Sequence, residues 1–302
     1  MRATLQLCTY NRAKLLARVL DACFEQTAAA GSYEVVLVND GSTDETPAVI
    51  ARAKERAGVP FTVIDQANSG LAKGRNAGLA RATGERVIFI DDDVLPTPSF
   101  VAEHLRSHDL HPMAIVRGAA VNTESFENLP PPVWNLKDYS GNFFWTTNVS
   151  VPTAKLREVG GFNETFAEYG WEDIDVGLRL RFAGVKTVFN KYALAFHCKP
   201  RPRSSSVGAM IAQARAQART AVQLEKLHPH WRTYLATGNT YPQRALHKWI
   251  DGVNAMRHFK PHAADAADDR PLSGRELRAA RRLAASAYYQ ELERTIAAQR
   301  RS

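Results

Sequence analysis

The feature that most restricts this chain is the rhythm of its first ninety or so residues. Four short apolar runs, ATLQLC (3–8), YEVVLVN (33–39), PFTVID (60–65) and ERVIFID (85–91), alternate with segments of helical spacing. YEVVLVN is too continuously apolar for a half-exposed strand and predicts a buried parallel one. Between the first two runs, Leu15, Leu16, Val19, Leu20, Cys23 and Phe24 share one helical face. Ser42 and Glu45 have capping-box spacing and predict a helix over 45–56, and a third helix is expected near 70–82. Strand–helix repetition of this kind gives a doubly wound α/β sheet, whose ligands sit at the carboxyl ends of the strands.

From residue 110 the rhythm changes. AIVRGAAV (114–121) and NFFWTTNVSVP (142–152) read as strands, separated by an irregular stretch that Pro130 to Pro132 keep out of any helix. The loop 122–141, with Trp134, is a candidate lid or acceptor wall. GWEDIDVGLRLRFAG (170–184) predicts a helix with an acidic first turn, stopped by Gly184. KTVFN and ALAFH follow as two short closing strands. Beyond Pro202 the pattern is helical, with 265–274 as a linker before a last helix. Charge divides the chain at the same place: residues 1–203 carry 23 Lys/Arg against 23 Asp/Glu, and residues 204–302 carry 16 against 8. Two regions with different tasks are therefore expected, 1–203 and a basic helical extension over 204–302. The change of rhythm divides the first further, into halves 1–110 and 111–203.

Composition narrows the classes. With 45% apolar and 23% charged residues the chain is neither disordered nor a disulfide mini-scaffold. No apolar stretch is long enough to span a bilayer, and the N-terminal run meets Asn11 and Arg12 too soon for a signal peptide. Three scattered cysteines (Cys8, Cys23, Cys198) lack zinc spacing and suit buried thiols in a reducing cytoplasm.

Five groups of residues carry candidate chemistry. Asp91, Asp92 and Asp93 end an apolar strand, where three adjacent carboxylates repel one another unless a cation neutralises them. Hard Mg²⁺ or Mn²⁺ shared with phosphate oxygens is the expected partner. Asp40, followed by Gly41, could accept the ring N–H of a base, although the same segment also serves as a plain helix entry. Gly70, Gly74 and Gly78 recur every four residues as a packing face, and Lys73 and Arg75 between them could meet a diphosphate. Trp171, Glu172 and Asp173 open a helix, where a carboxylate could remove a hydroxyl proton or simply face the helix dipole; Asp175 is assigned to the dipole. His197, on the last strand, is a core histidine or a further metal ligand.

Taken together, CTYNR (8–12), VNDGSTDET (38–46), NSGLAKGRNAGLARATGE (68–85), FIDDDVLP (89–96), NVSVP with VGGFNE (148–164) and GWEDIDVGLRL (170–180) resemble family 2 glycosyltransferases. The WED segment also resembles galactosyltransferase-like enzymes. The resemblance covers residues 3–200 and makes 1–110 the nucleotide-binding half and 111–203 the acceptor-side half. It implies a GT-A fold, a Rossmann-like mixed sheet flanked by helices, and an inverting, metal-dependent transfer from a nucleotide-sugar, UDP favoured, to a saccharide or lipid-linked acceptor. By residue, it places Thr9, Tyr10, Asn11 and Arg12 at base and ribose and Asp40 at the base. Gly70, Lys73 and Arg75 fall by the base and diphosphate, with Trp171 also at the donor. Asp93 becomes the firmest metal ligand, with Asp91 and His197 also at the metal and Asp91 or Asp92 near the ribose. Asp173 becomes the base, with Glu172 beside it. The expected setting is bacterial-type surface glycan or glycoconjugate synthesis. No Q-x-x-R-W follows the Glu172–Asp173 pair, which argues against processive synthesis.

Two other classes compete. A sugar-1-phosphate nucleotidyltransferase would want a glycine- and basic-rich loop after the first strand, which CTYNRAK does not supply. A non-catalytic nucleotide-sugar-binding protein would not need Asp40, Asp93 and Asp173 together. The basic extension reads as a helical packing element, as a peripheral contact with anionic lipid at the inner membrane face, or as a self-association surface. Nucleic acid is not expected, since no recognised binding module is present.

Overall fold

A computed structural model describes residues 1–136, 144–252 and 269–300. The chain forms two compact units, Met1–Thr165 with Glu172–Pro200, and Phe166–Trp171 with Arg201–Ser302.

The first unit runs β1 (Ala3–Thr9), α1 (Ala13–Phe24), β2 (Tyr33–Asn39), α2 (Thr46–Arg56), β3 (Phe61–Asp65), α3 (Leu71–Arg81), β4 (Arg86–Ile90), β5 (Val94–Pro96), α4 (Phe100–Leu110), β6 (Ile115–Thr123), β7 (Asn148–Pro152), α5 (Thr153–Glu158), α6 (Glu172–Phe182) and β8 (Thr187–Cys198). The eight strands form one mixed sheet in the order β3-β2-β1-β4-β7-β6-β8-β5. β1 to β4 are mutually parallel, so their carboxyl ends, at Thr9, Asn39, Asp65 and Ile90, lie along one edge. All seven residues of β2 are buried, as its unbroken apolar run requires. Leu16, Val19, Leu20 and Cys23 of α1 and Val49, Ile50 and Ala53 of α2 pack on one face of the sheet. Ala72 and Leu79 of α3, Leu156 of α5 and Val176 and Leu180 of α6 pack with Phe89, Val149 and Val151 in a second core cluster.

Three aspartates occupy the turn where this topology changes direction. After β4, in the middle of the sheet, the chain crosses to β5, which pairs antiparallel with β8 at the far edge. Val94 stands opposite His197 in that pairing, and the Cys198 N–H donates to the Asp93 carbonyl at 2.8 Å. The β4–β5 register therefore brings the last strand to the aspartate turn.

Several local expectations change. The Ser42–Glu45 capping box does not form: α2 starts at Thr46 with no side-chain cap. The Ser42 hydroxyl instead accepts the Asn11 N–H at 3.0 Å, and Asp44 accepts that of Thr46 at 2.9 Å, because the loop folds back on the one after β1. The strand expected over 142–152 is Asn148–Pro152 only; 142–143 lie outside the described residues, and a turn precedes it in which the Asn148 N–H donates to the Trp145 carbonyl. KTVFN and ALAFH are one strand, β8, whose pairing with β6 slips at Gly118/Ala119. The helix expected from 170 begins at Glu172. Trp134, expected on a lid or acceptor wall, has its ring 5.1 Å from that of Phe189 and packs on Leu95 and Phe196; residues 137–141 of that loop lie outside the described ones.

Sequence reading also missed a buried polar chain between α4 and β7. The Asn148 amide nitrogen donates to the Ala119 and Ala193 carbonyls, and its oxygen faces His104 Nε2 at 2.9 Å. Ser150 Oγ lies 2.8 Å from both His104 Nδ1 and His108 Nε2. Burial holds both imidazoles neutral, pushing His104 down to about 4 and His108 to about 3.

The second unit contains α7 (Val207–Leu227), α8 (Trp231–Thr237), α9 (Tyr241–Gly252) and α10 (Gly274–Gln299). α7 and α10 pack through Ala218, Ala221, Val222 and Leu292. α10 opens with a complete capping box between Ser273 and Glu276. Among the described residues no helix is long and apolar enough to cross a membrane.

Candidate active site

At the edge formed by the carboxyl ends of β1, β2 and β4, loops are tied to one another by side-chain oxygens. Asn11, in the left-handed region at φ 53°, accepts the N–H groups of Thr43 (2.8 Å) and Asp44 (3.3 Å). Asp40 is buried, and its carboxylate gathers the 66–70 loop: Oδ1 accepts from Gln66 Nε2 (2.7 Å) and the Ser69 N–H (3.0 Å), and Oδ2 from the Gly70 N–H (2.9 Å). Gly41 is required by packing, because a Cβ there would stand 2.6 Å from the Asn68 nitrogen. Asp40 thus shapes the loop that opens α3, with room left at Oδ2 for a further donor. Gln66, which lies outside every motif quoted from the sequence, and Ser69, which was quoted only as part of the 68–85 segment, belong to that arrangement.

The three aspartates point in three directions. Asp92 is buried and accepts from Thr9 Oγ1 at 2.8 Å, so these two expected donor contacts satisfy each other. Burial raises the Asp92 carboxyl to about 7. Asp91 accepts from Thr147 Oγ1 at 2.7 Å and lies 3.6 Å from Arg75 Nη2. Asp93 stands 3.6 Å from Arg12 Nη1 and 3.5 Å from His197 Nε2, and burial, with the charge of Asp91, raises it to about 6. Tyr10, next to Thr9 in sequence, is exposed.

Of the two candidate cations Lys73 and Arg75 on α3, only Arg75 reaches these carboxylates. Lys73 is two positions away on the helix and points to solvent. Arg75 is buried. Its Nη1 donates to Glu172 Oε1 at 2.6 Å, and its guanidinium lies 5.4 Å from the centre of the Phe162 ring. One side chain therefore links the end of β4 to the start of α6. In that first helical turn Glu172 is paired with Arg75 and Asp175 with Arg179. Asp173 has no cation within 4.0 Å among the described residues; its Oδ1 accepts the Ile174 N–H at 2.7 Å. Burial, then the charge of Glu172, raises Asp173 to about 7, with Arg75 opposing. A small opening lined by Gln6, Cys8, Leu71, Arg75, Asp91 and Thr146 lies beside this bridge. Trp171 belongs to the helical unit: its indole N–H donates to the Gln217 carbonyl at 2.8 Å.

The donor set for a metal is partial. Among the described residues no group of three His, Cys, Asp or Glu could hold an ion alone. Asp93 and His197 nevertheless form a carboxylate–imidazole pair. Burial, then Lys199, pushes His197 down to about 4, which leaves the ring neutral and able to ligate. Two protein ligands with phosphate oxygens completing the shell is how Mg²⁺ and Mn²⁺ are commonly held, so these residues fit such an ion. Asp91 is turned to Thr147 and Arg75. Thr147 and Lys199, whose ammonium lies 5.6 Å from the centre of the Trp145 ring, were not anticipated. The one available signal was that Lys199 follows His197 by two residues.

Residues 4–159 match the family model described as "Glycosyl transferase family 2", and residues 134–199 match "N-terminal domain of galactosyltransferase". The chain belongs to glycosyl transferase family 2. Among curated relatives of this family member, a validoxylamine A glucosyltransferase from Streptomyces hygroscopicus subsp. jinggangensis is 31% identical over 213 residues, 59% of this chain and 50% of that protein. A poly(ribitol-phosphate) β-N-acetylglucosaminyltransferase from Staphylococcus aureus is 28% identical over 140 residues, 44% of this chain and 24% of that protein. The chain spans about half the length of the first of these relatives. Among solved structures, a mannosyltransferase from Pyrobaculum calidifontis in complex with GDP-Man and Mn²⁺ aligns with TM-score 0.61 and 18% identity, over 97% of this chain and 86% of that one. Residues 1–349 of S. aureus TarS in complex with UDP align with TM-score 0.56 and 19% identity, over 97% and 90%. These likenesses show the GT-A fold expected from sequence.

Proposed function

We propose that this family 2 member transfers a sugar from a nucleotide-sugar, a UDP-sugar by preference, to an acceptor hydroxyl with inversion, in the synthesis of a surface glycan or glycoconjugate. The observation that carries this reading is the Arg75 bridge, which joins Asp91, in the aspartate turn after β4, to Glu172, in the first turn of α6 beside Asp173. The names of the relatives and the nucleotides in the aligned structures support it.

In this mechanism the donor lies along the carboxyl ends of β1, β2 and β4. The loop organised by Asp40 borders the base. Asp93 and His197 would hold Mn²⁺ or Mg²⁺, which supplies charge neutralisation at the departing diphosphate. Asp173, with no cation within 4.0 Å among the described residues and raised toward neutrality, accepts the proton of the acceptor hydroxyl as that oxygen attacks the anomeric carbon from the face opposite the leaving group. Glu172 stays paired with Arg75 and moves no proton.

The test is a thermal-shift panel of UDP, dTDP, GDP and CDP, with and without Mn²⁺, on the wild type and on Asp93→Ala. Stabilisation grows with ligand concentration over Kd. A Mn²⁺-dependent shift with one diphosphate, lost in Asp93→Ala, is expected. No shift with any of the four would refute the reading.

A further inference from the structure

Arg75 has the placement of a structural strut. It is 6% exposed, and its carbonyl is held by Gln6 Nε2 at 2.7 Å, which fastens this part of α3 to β1. Both terminal guanidinium nitrogens face carboxylates, Glu172 at 2.6 Å and Asp91 at 3.6 Å, while the Phe162 ring lies against the guanidinium. Asp91 is fixed from its other side by Thr147. The result is a continuous chain, Thr147–Asp91–Arg75–Glu172, ending one residue before Asp173. A bidentate, planar cation is suited to such a bridge; a lysine ammonium is not.

We infer that Arg75 is a positioning residue that fixes the first turn of α6, and with it Asp173, against the aspartate turn, and is not a ligand of the donor diphosphate. The inference rests on the glycosyltransferase reading. Three carboxylates in the first turn of α6 repel one another; Arg75 and Arg179 neutralise two of them, and the third, Asp173, keeps its place through that neutralisation. The charged groups facing Asp173 are Glu172 on its own helix, Arg75 on α3 and Asp91 at the end of β4. Deleting only one member of a buried pair strands the other, so the pair must be removed together.

The experiment compares the wild type with Glu172→Gln, Arg75→Met and the double variant Arg75→Met/Glu172→Gln. UDP and GDP are titrated calorimetrically in the presence of Mn²⁺, and the Asp173 carboxyl is followed by NMR on protein labelled with ¹³C at aspartate. If Arg75 only positions, a nucleotide bound by the wild type is bound by the double variant within about twofold. The Asp173 titration midpoint then moves down in Glu172→Gln, and turnover of the donor falls on the order of 10–10²-fold, as misplacement of a catalytic group does. The double variant loses no more turnover than the worse single variant, because both act through one bridge. A tenfold or greater loss of nucleotide affinity in a folded double variant would make Arg75 a donor ligand and overturn the inference. An unmoved Asp173 midpoint in all three variants would also overturn it. Failure of the wild type itself to bind either nucleotide would instead remove the glycosyltransferase reading beneath it.

Discussion

The state of Asp173 gives a quantitative pH dependence. A base must be ionised to accept a proton, and burial together with the charge of Glu172 raises this carboxyl to about 7. At saturating donor and cation, kcat reports the ionisation of groups in the bound complex. The ionised fraction is then about one half at pH 7, one tenth at pH 6 and one hundredth at pH 5, so kcat should drop about tenfold per unit below neutrality. The sign follows from the two neighbours: Glu172→Gln removes a negative charge and should shift the acid limb to lower pH. The assay is the initial rate of nucleoside diphosphate release from the donor identified by the panel, between about pH 5 and 8. An acid limb near 4, the ordinary aspartate range, would refute the burial argument. A limb unmoved by Glu172→Gln would refute the assignment of that limb to Asp173.

The same ionisation affects stability. The folded-state pKa of Asp173 lies above its unfolded value, so the folded state holds the extra proton between about 4 and 7 and stability falls as pH rises through that window. Asp173→Asn should therefore raise the Tm at pH 8 and leave it little changed near pH 4, read by calorimetry. Gly78→Ala would bring a Cβ within 2.2 Å of Gln6 Nε2, which is buried and bonded to the Arg75 carbonyl. A loss of about 1–3 kcal/mol in urea unfolding is expected, with turnover falling through Arg75. Ser150→Ala leaves His104 Nδ1 and His108 Nε2 without their shared partner, and each buried unpaired group costs about 1–3 kcal/mol.

Much of this architecture could be read in the sequence because it depends on local patterns. An unbroken β-branched run marked β2 as a buried parallel strand, and three aspartates after the apolar β4 marked the turn that joins β4 to β5. Local signals also failed where a distant segment competed. Ser42 and Glu45 have the spacing of a cap, but Asn11, 31 residues from Ser42, takes the hydroxyl. Arg75 carried no mark of its partner, because Glu172 is 97 residues away. Thr147 was hidden in a segment whose apolar pattern suggested an uninterrupted strand. Trp171 lies next to Glu172 in the chain, yet it belongs to the helical unit and its ring packs with α7 and α10 there, a choice no local pattern records.

The central claim is that the donor is held on the Asp93 side and that Asp173 supplies only the chemistry. Donor affinity and diphosphate release, measured side by side on the wild type and Asp173→Asn with Mn²⁺ present, test it most directly. The account predicts unchanged donor affinity and a rate lower by a factor on the order of 10²–10⁴. Retained turnover, or loss of donor binding in a folded Asp173→Asn, would contradict it.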